Sequence, residues 1–189
     1  MTETKSLSFE LNPDMIAVLR QEFDVAKLAE KLAAATAGKK RKDIEAAGKQ
    51  ICSEYGRDLI RRSLQLGEEY PDRTYEVLKA IIDKTDGYYK FALLPQRFLE
   101  IAYLSTLDIN TLPVVENNAF RLIYRIADCS AFKTIKEKAG EEVANLLPCR
   151  HACLTALETL HQDLDIDAII GMEASIVKDG YCQFAARRP

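Results

Sequence analysis

The chain is poor in the residues that mark the commonest catalytic and binding motifs. It holds only two histidines, His151 and His161, in 189 residues, so a three-histidine zinc site within one chain is excluded. Its eight glycines stand singly. Neither G-x-G-x-x-G nor a P-loop can be written, which removes the sequence basis for a phosphate-cradling loop. There is no G-x-S-x-G to seat a hydrolase serine and no C-x2-C pair of the kind that structural zinc sites use. No apolar run approaches the ~18–20 residues of a membrane helix. The opening MTETKSLSFE lacks the apolar stretch of a secretory signal. Internal repeats and low-complexity tracts are absent as well.

Charge of one sign is also scarce. Lys and Arg number 26 against 29 Asp and Glu, a formal net charge of -3, so no global field draws the chain to nucleic acid. A hydrophobic share of 48% with 29% charged residues is globular composition. The five cysteines are an odd number with four in the last third of the chain, which is not the pattern of a secreted disulfide scaffold. These features predict one domain over residues 1–189, cytoplasmic, with reduced thiols, no membrane span and no nucleic-acid partner.

Up to about residue 105 the pattern is helical. Asn12-Pro13-Asp14 is a helix start, with Asn as cap, Pro in the first turn and Asp at the positive end of the dipole. An alanine-rich helix over Val25 to Ala37 ends at Gly38. The run Lys39-Lys40-Arg41-Lys42 reads as a solvated linker before a long helix from Asp43 to Leu66. Ile44, Ala47, Ile51, Tyr55, Leu59 and Leu66 form its stripe, and Gly67 is the expected stop. Pro71-Asp72 opens another helix with Tyr75, Leu78, Ile81 and Ile82 on its apolar face, and a short helix is expected over Leu94 to Leu104.

Beyond that point the period becomes two. Leu112 to Glu116 and Ala119 to Ala127 read as a hairpin turning on Asn117-Asn118, with Phe120, Leu122, Tyr124 and Ile126 on one face. Ser130 is expected to cap a helix reaching Leu146, Pro148 to interrupt it, and a second helix to run from Cys149 to Leu160. A second hairpin, Ala168 to Val177 and Tyr181 to Arg187, turns at Asp179-Gly180. Strands gathered into hairpins predict an α+β fold. A helical N-terminal half packs on an antiparallel sheet of about four strands, built from two hairpins separated by two helices.

Three constellations carry candidate chemistry. Cys149 and Cys153 lie one helical turn apart and face the same side, with Cys129 and Cys182 at strand ends. Their neighbours Leu157 and Leu160 favour buried thiols, against a metal or reactive-thiol cluster and against regulatory disulfide exchange. His151 falls about 200° around the helix from Cys149 and so off that face. Arg121 and Arg125 alternate on one strand face, and Glu173 lies on the polar side of the other hairpin. Two arginines over a sheet can grip a carboxylate, while cross-strand ion pairs on a solvated face are the plainer reading.

The stretch from Phe120 to Phe184 carries a strand ending in Cys129, a helix with Gly140-Glu141 in its middle, Cys149, and a closing Gly180-x-Cys182-x-Phe184 hairpin. It resembles the C-terminal half of the L-2-amino-thiazoline-4-carboxylic acid hydrolase-like family. The outline is also similar to the 4-vinyl-reductase-type small-molecule-binding domain. The second resemblance implies a sensor or carrier for a small apolar or aromatic molecule, working as a homodimer. Its crevice would lie between helices and sheet, with Arg121, Tyr124, Arg125, Met172 and Phe184 as ligand-binding residues. Because some members hold zinc, it also implies Cys149, Glu173 and Cys182 as metal ligands. The first resemblance implies a cysteine- or metal-dependent hydrolase of a thiazoline-like ring with Cys149 as nucleophile, activated by a helix start and by Arg150. A scaffolding subunit without catalysis is the third alternative.

Overall fold

Asn12 caps the first described helix as its sequence prescribes. In the computed structural model, which describes residues 11–189, its side-chain oxygen accepts the Asp14 N–H at 2.8 Å and caps α1 (Pro13–Glu22). Residues 1–10, where the missing signal stretch was read, lie outside the described residues. Asp24 caps α2 (Val25–Thr36) in the same way, accepting the Ala26 N–H at 2.8 Å. The basic run does not stay a linker throughout: α3 (Arg41–Glu69) already includes Arg41 and Lys42. Gly67 does not stop α3 either. It lies inside the helix, where an added Cβ would sit 2.7 Å from the Phe98 ring, so the missing side chain serves close packing instead of a cap.

Asp72 accepts the Tyr75 N–H at 2.7 Å and starts α4 (Arg73–Lys84). Only Tyr75 of the expected apolar face is buried, and Ile81 is exposed. Next, α5 (Lys90–Thr106) is far longer than expected, with Pro95 inside it and nearly every side chain from Phe91 to Ser105 buried. A helix buried all round offers no amphipathic period to read.

The sheet consists of β1 (Val114–Asn117), β2 (Arg121–Ile126), β3 (Ile169–Ala174) and β4 (Cys182–Arg187), in the order β1-β2-β4-β3 with all neighbours antiparallel. In the first hairpin the Asn118 side chain accepts the Phe120 and Arg121 N–H groups at 2.9 and 3.0 Å. Phe120 therefore lies in the turn and is 63% exposed, not on the inner face. Between β2 and β3 the expected single helix is split at Gly140, whose φ is +90°, into α6 (Ser130–Ala139) and α7 (Glu141–Asn145). It is followed by α8 (Arg150–Asp163). The second hairpin is not a tight turn, because a one-turn α9 (Ile176–Asp179) connects β3 to β4. The α+β class, a helical half followed by a four-stranded antiparallel sheet, stands as expected.

Leu122, Tyr124 and Ile126 of β2 and Cys182, Phe184 and Ala186 of β4 face inward to the main core. That core also takes Met15 and Leu19 of α1, Leu59 and Leu66 of α3, and Leu157 and Leu160 of α8. A second buried cluster joins Leu28 and Leu32 of α2, Ile51 and Cys52 of α3, Ile135 of α6 and Cys149. Tyr55, Phe132, Met172 and Ile176 pack against both. No described helix is long and apolar enough to cross a membrane.

Candidate functional site

The two cores meet where α3 crosses α8, and the crossing is unusually close. A Cβ on Gly56 would lie 2.1 Å from the Ala152 carbonyl oxygen, so the two backbones touch. Glycine is required there because any side chain would occupy the partner's main chain. Beside this contact the packing leaves a partly enclosed cavity of about 40 Å³, walled by α2, α3, α5, α8, β2 and β4. Cys129, Cys149, Cys153 and Cys182 all line it, together with Tyr103 and Phe184. Its exposed surface is wholly apolar. A void needs roughly 10–15 Å³ to admit one water, yet a cavity without polar partners stays dry. Leaving it empty costs about 1 kcal/mol at ~24 cal/mol per Å³, and a slim apolar group that entered would recover this.

The wall is held by a small set of polar contacts directed away from the void. Tyr55 donates its hydroxyl to the Phe23 carbonyl at 2.8 Å. The Tyr103 and Tyr124 hydroxyls lie 3.4 Å apart, and the Tyr124 ring stacks on Phe184 at 5.5 Å between centroids. Burial pushes both Tyr103 and Tyr124 well above the ordinary phenol range, so they stay neutral.

The thiols are likewise held protonated. Burial raises Cys182 to about 11 and Cys52 to about 12. It raises Cys129, Cys149 and Cys153 too, with the neighbouring thiols adding to the effect on Cys149 and Cys153. A nucleophilic cysteine needs the opposite shift. Although Arg150 follows Cys149 in sequence, Arg150 is exposed while Cys149 is 7% exposed, and burial dominates. All five cysteines are free.

The expected metal ligands are not brought together. Cys149 and Cys182 line the cavity, whereas Glu173 turns to the outer face of the sheet, pairs with Arg187 and accepts from Gln183 at 2.6 Å. Strand alternation is the reason, since Glu173 and the inward Cys182 project from opposite faces. Among the described residues no group of three or more His, Cys, Asp or Glu side chains is placed to hold a metal ion.

The expected ligand-binding residues divide among three places. Phe184 lines the cavity and Tyr124 backs it. Met172 lies in a separate open groove at the edge of the sheet. Arg121 and Arg125 sit on the outer face and are engaged there. Arg121 pairs with Glu116 at 3.0 Å, while Arg125 donates to Gln183 at 2.5 Å and stacks over the Tyr181 ring.

Several residues of the site gave no sequence signal that placed them there. Tyr55, Gly56 and Tyr103 reach the cavity only through the α3–α8 crossing and the burial of α5. The same holds for a buried ionic group under α4, where Arg97 pairs with Asp72 and Glu100 accepts from Gln96 at 2.9 Å. His161, placed on the last turn of α8, is buried and donates from Nδ1 to the Leu157 carbonyl at 2.8 Å. Comparison of the chain with protein-family models, with curated proteins and with solved structures gave no match.

Proposed function

We propose that the chain is a small-molecule-binding domain, a sensor or carrier that takes a small apolar group, no bulkier than a short alkyl, into the cavity beside the α3–α8 crossing. The observation that carries this reading is a wholly apolar cavity at the seam of two packed cores, walled by helices on one side and the sheet on the other. Ligand sites of small-molecule binders are concave and mostly apolar and often lie between such layers. The resemblance of residues 120–184 to the 4-vinyl-reductase-type domain agrees with it. A hydrolase using Cys149 is disfavoured, because burial keeps that group a thiol.

Thermal melting under pressurised xenon, ethylene and propane tests the reading. Saturable stabilisation is expected from at least one probe, since a ligand of the folded state raises its melting temperature. Ala156 is buried and lines the cavity, so Ala156→Val is expected to abolish that response while the chain still folds. Melting unaffected by every probe contradicts the proposal.

A further inference from the structure

Where the first hairpin meets α5, the contact is polar. The Asn117 side chain, at the end of β1, donates from Nδ2 to the Ala92 carbonyl at 2.8 Å and to Gln96 Oε1. Gln96 in turn donates from Nε2 to Glu100 Oε1 at 2.9 Å, one helical turn further along α5. The chain ends there, on a buried carboxyl group. Glu100 Oε2 and Asn117 Oδ1 are both buried without a hydrogen-bond partner. Counting donors and acceptors decides which form of Glu100 this cluster suits. Protonated, Oε2 brings one O–H donor to a cluster in which one amide oxygen, Asn117 Oδ1, is still open. Ionised, it leaves two acceptors without donors and a charge inside the protein, which is the costlier arrangement.

Nearby charges do not offset that cost. Arg97, on the same helix, is the one charge that bears on Glu100 among the described residues, and it is paired with Asp72 at the start of α4. Glu116 of β1 is taken up by Arg121 at 3.0 Å, and Arg20 of α1 donates to the Ser105 carbonyl at 3.0 Å. Burial outweighs the Gln96 hydrogen bond and the Arg97 charge, and raises Glu100 to about 7. The cover most easily lifted from it is β1, an edge strand of four residues, paired with β2 alone and with a register break between Val114 and Glu116.

We propose that Glu100 is a proton-operated latch: with its proton it holds the β1 end of the first hairpin on α5, and without it that end lets go. Opening returns Glu100 to the unperturbed 4.5, so the open form releases a proton that the closed form keeps. Opening is therefore favoured as pH rises from about 4.5 to about 7, and levels off above.

Amide hydrogen exchange at pH 5 and 7.5, corrected for the intrinsic pH dependence of exchange and repeated in low urea, tests the latch. The wild-type β1 amides are expected to lose protection roughly tenfold or more over that interval. Low urea should not change their exchange, because lifting one short strand exposes little surface. Glu100→Gln, whose amide cannot ionise, should keep equal protection at both pH values, and Asn117→Ala should have little already at pH 5. The α2 amides, in the other core, gauge opening of the whole chain. Protection of β1 that is no more pH-sensitive in the wild type than in Glu100→Gln overturns the proposal. So does β1 exchange that follows α2 in both pH and urea dependence, because Glu100 would then act on the whole fold. The urea comparison needs no variant, so the latch stays refutable if Glu100→Gln fails to fold.

Discussion

Replacing Gly56 by alanine places a methyl group where α8 already has its main chain. The new Cβ would lie 2.1 Å from the Ala152 carbonyl oxygen and 2.7 and 2.8 Å from its carbonyl carbon and Cα, where ordinary contact begins at 3.4 Å. One helix must therefore retreat by roughly 1 Å or tilt, because backbone lies on both sides and no side chain can swing away. Overpacking of this kind costs about 1–3 kcal/mol, and the opposing gain in helix propensity is about 1 kcal/mol. With the strain at the top of its range, the net loss is about 2 kcal/mol. For a chain of this size that lowers the melting temperature by roughly 4–8 °C. Urea unfolding followed by circular dichroism at 222 nm reads it directly. Gly67→Ala, whose Cβ meets the movable edge of the Phe98 ring at 2.7 Å, is expected to cost less. Gly171→Ala has open space and no such clash. A Gly56→Ala chain as stable as the wild type, or more so, refutes the backbone contact between α3 and α8.

Two further outcomes follow from the buried groups. All five thiols are held protonated by burial, with Cys182 at about 11 and Cys52 at about 12, so Ellman's reagent at pH 8 should modify the native chain slowly and count five thiols only in denaturant. One thiol reacting at once would contradict this. Glu100 is 2% exposed, and burial raises it to about 7 from an unperturbed 4.5, with the Gln96 hydrogen bond and the Arg97 charge opposing. The folded chain therefore keeps a proton that the unfolded chain has released. Stability falls as pH rises from about 4.5 to about 7, by up to about 3 kcal/mol from this group, and levels off above. Urea midpoints at pH 5 and 7.5 should show the slope in the wild type and a much smaller one in Glu100→Gln. Equal slopes in the two chains would assign it elsewhere.

The parts of the fold that were legible in the sequence are those written in local chemistry. Asn12 and Asp72 each cap a helix through their own side chains, and the alternation along residues 121–126 fixes which side of β2 is buried. The misread parts depend on distant partners. Gly67 looks like a stop but is an interior glycine packed under Phe98. Pro95 and the absence of a polar face concealed the full length of α5, of which only Leu94 to Leu104 was expected and whose surroundings are supplied by α1, α3, α8 and the sheet. The closing hairpin was legible as two strands, but not the helical turn between them.

The candidate site divides along the same line. Cys149, Cys182 and Phe184 meet at one cavity. Glu173 is carried to the opposite face because a single residue of strand register decides its side. Tyr103 and Gly56 could not be assigned to the site from sequence, since only the helix crossing brings them there.

The central claim is that the seam between the cores is a dry cavity able to take an apolar guest. Crystals pressurised with xenon test this most directly, because xenon enters apolar voids without needing a hydrogen bond. One xenon site bounded by Cys149, Cys153 and Phe184 is the predicted result. Ordered water at that position, or side chains closed over it with no xenon bound, would contradict the claim.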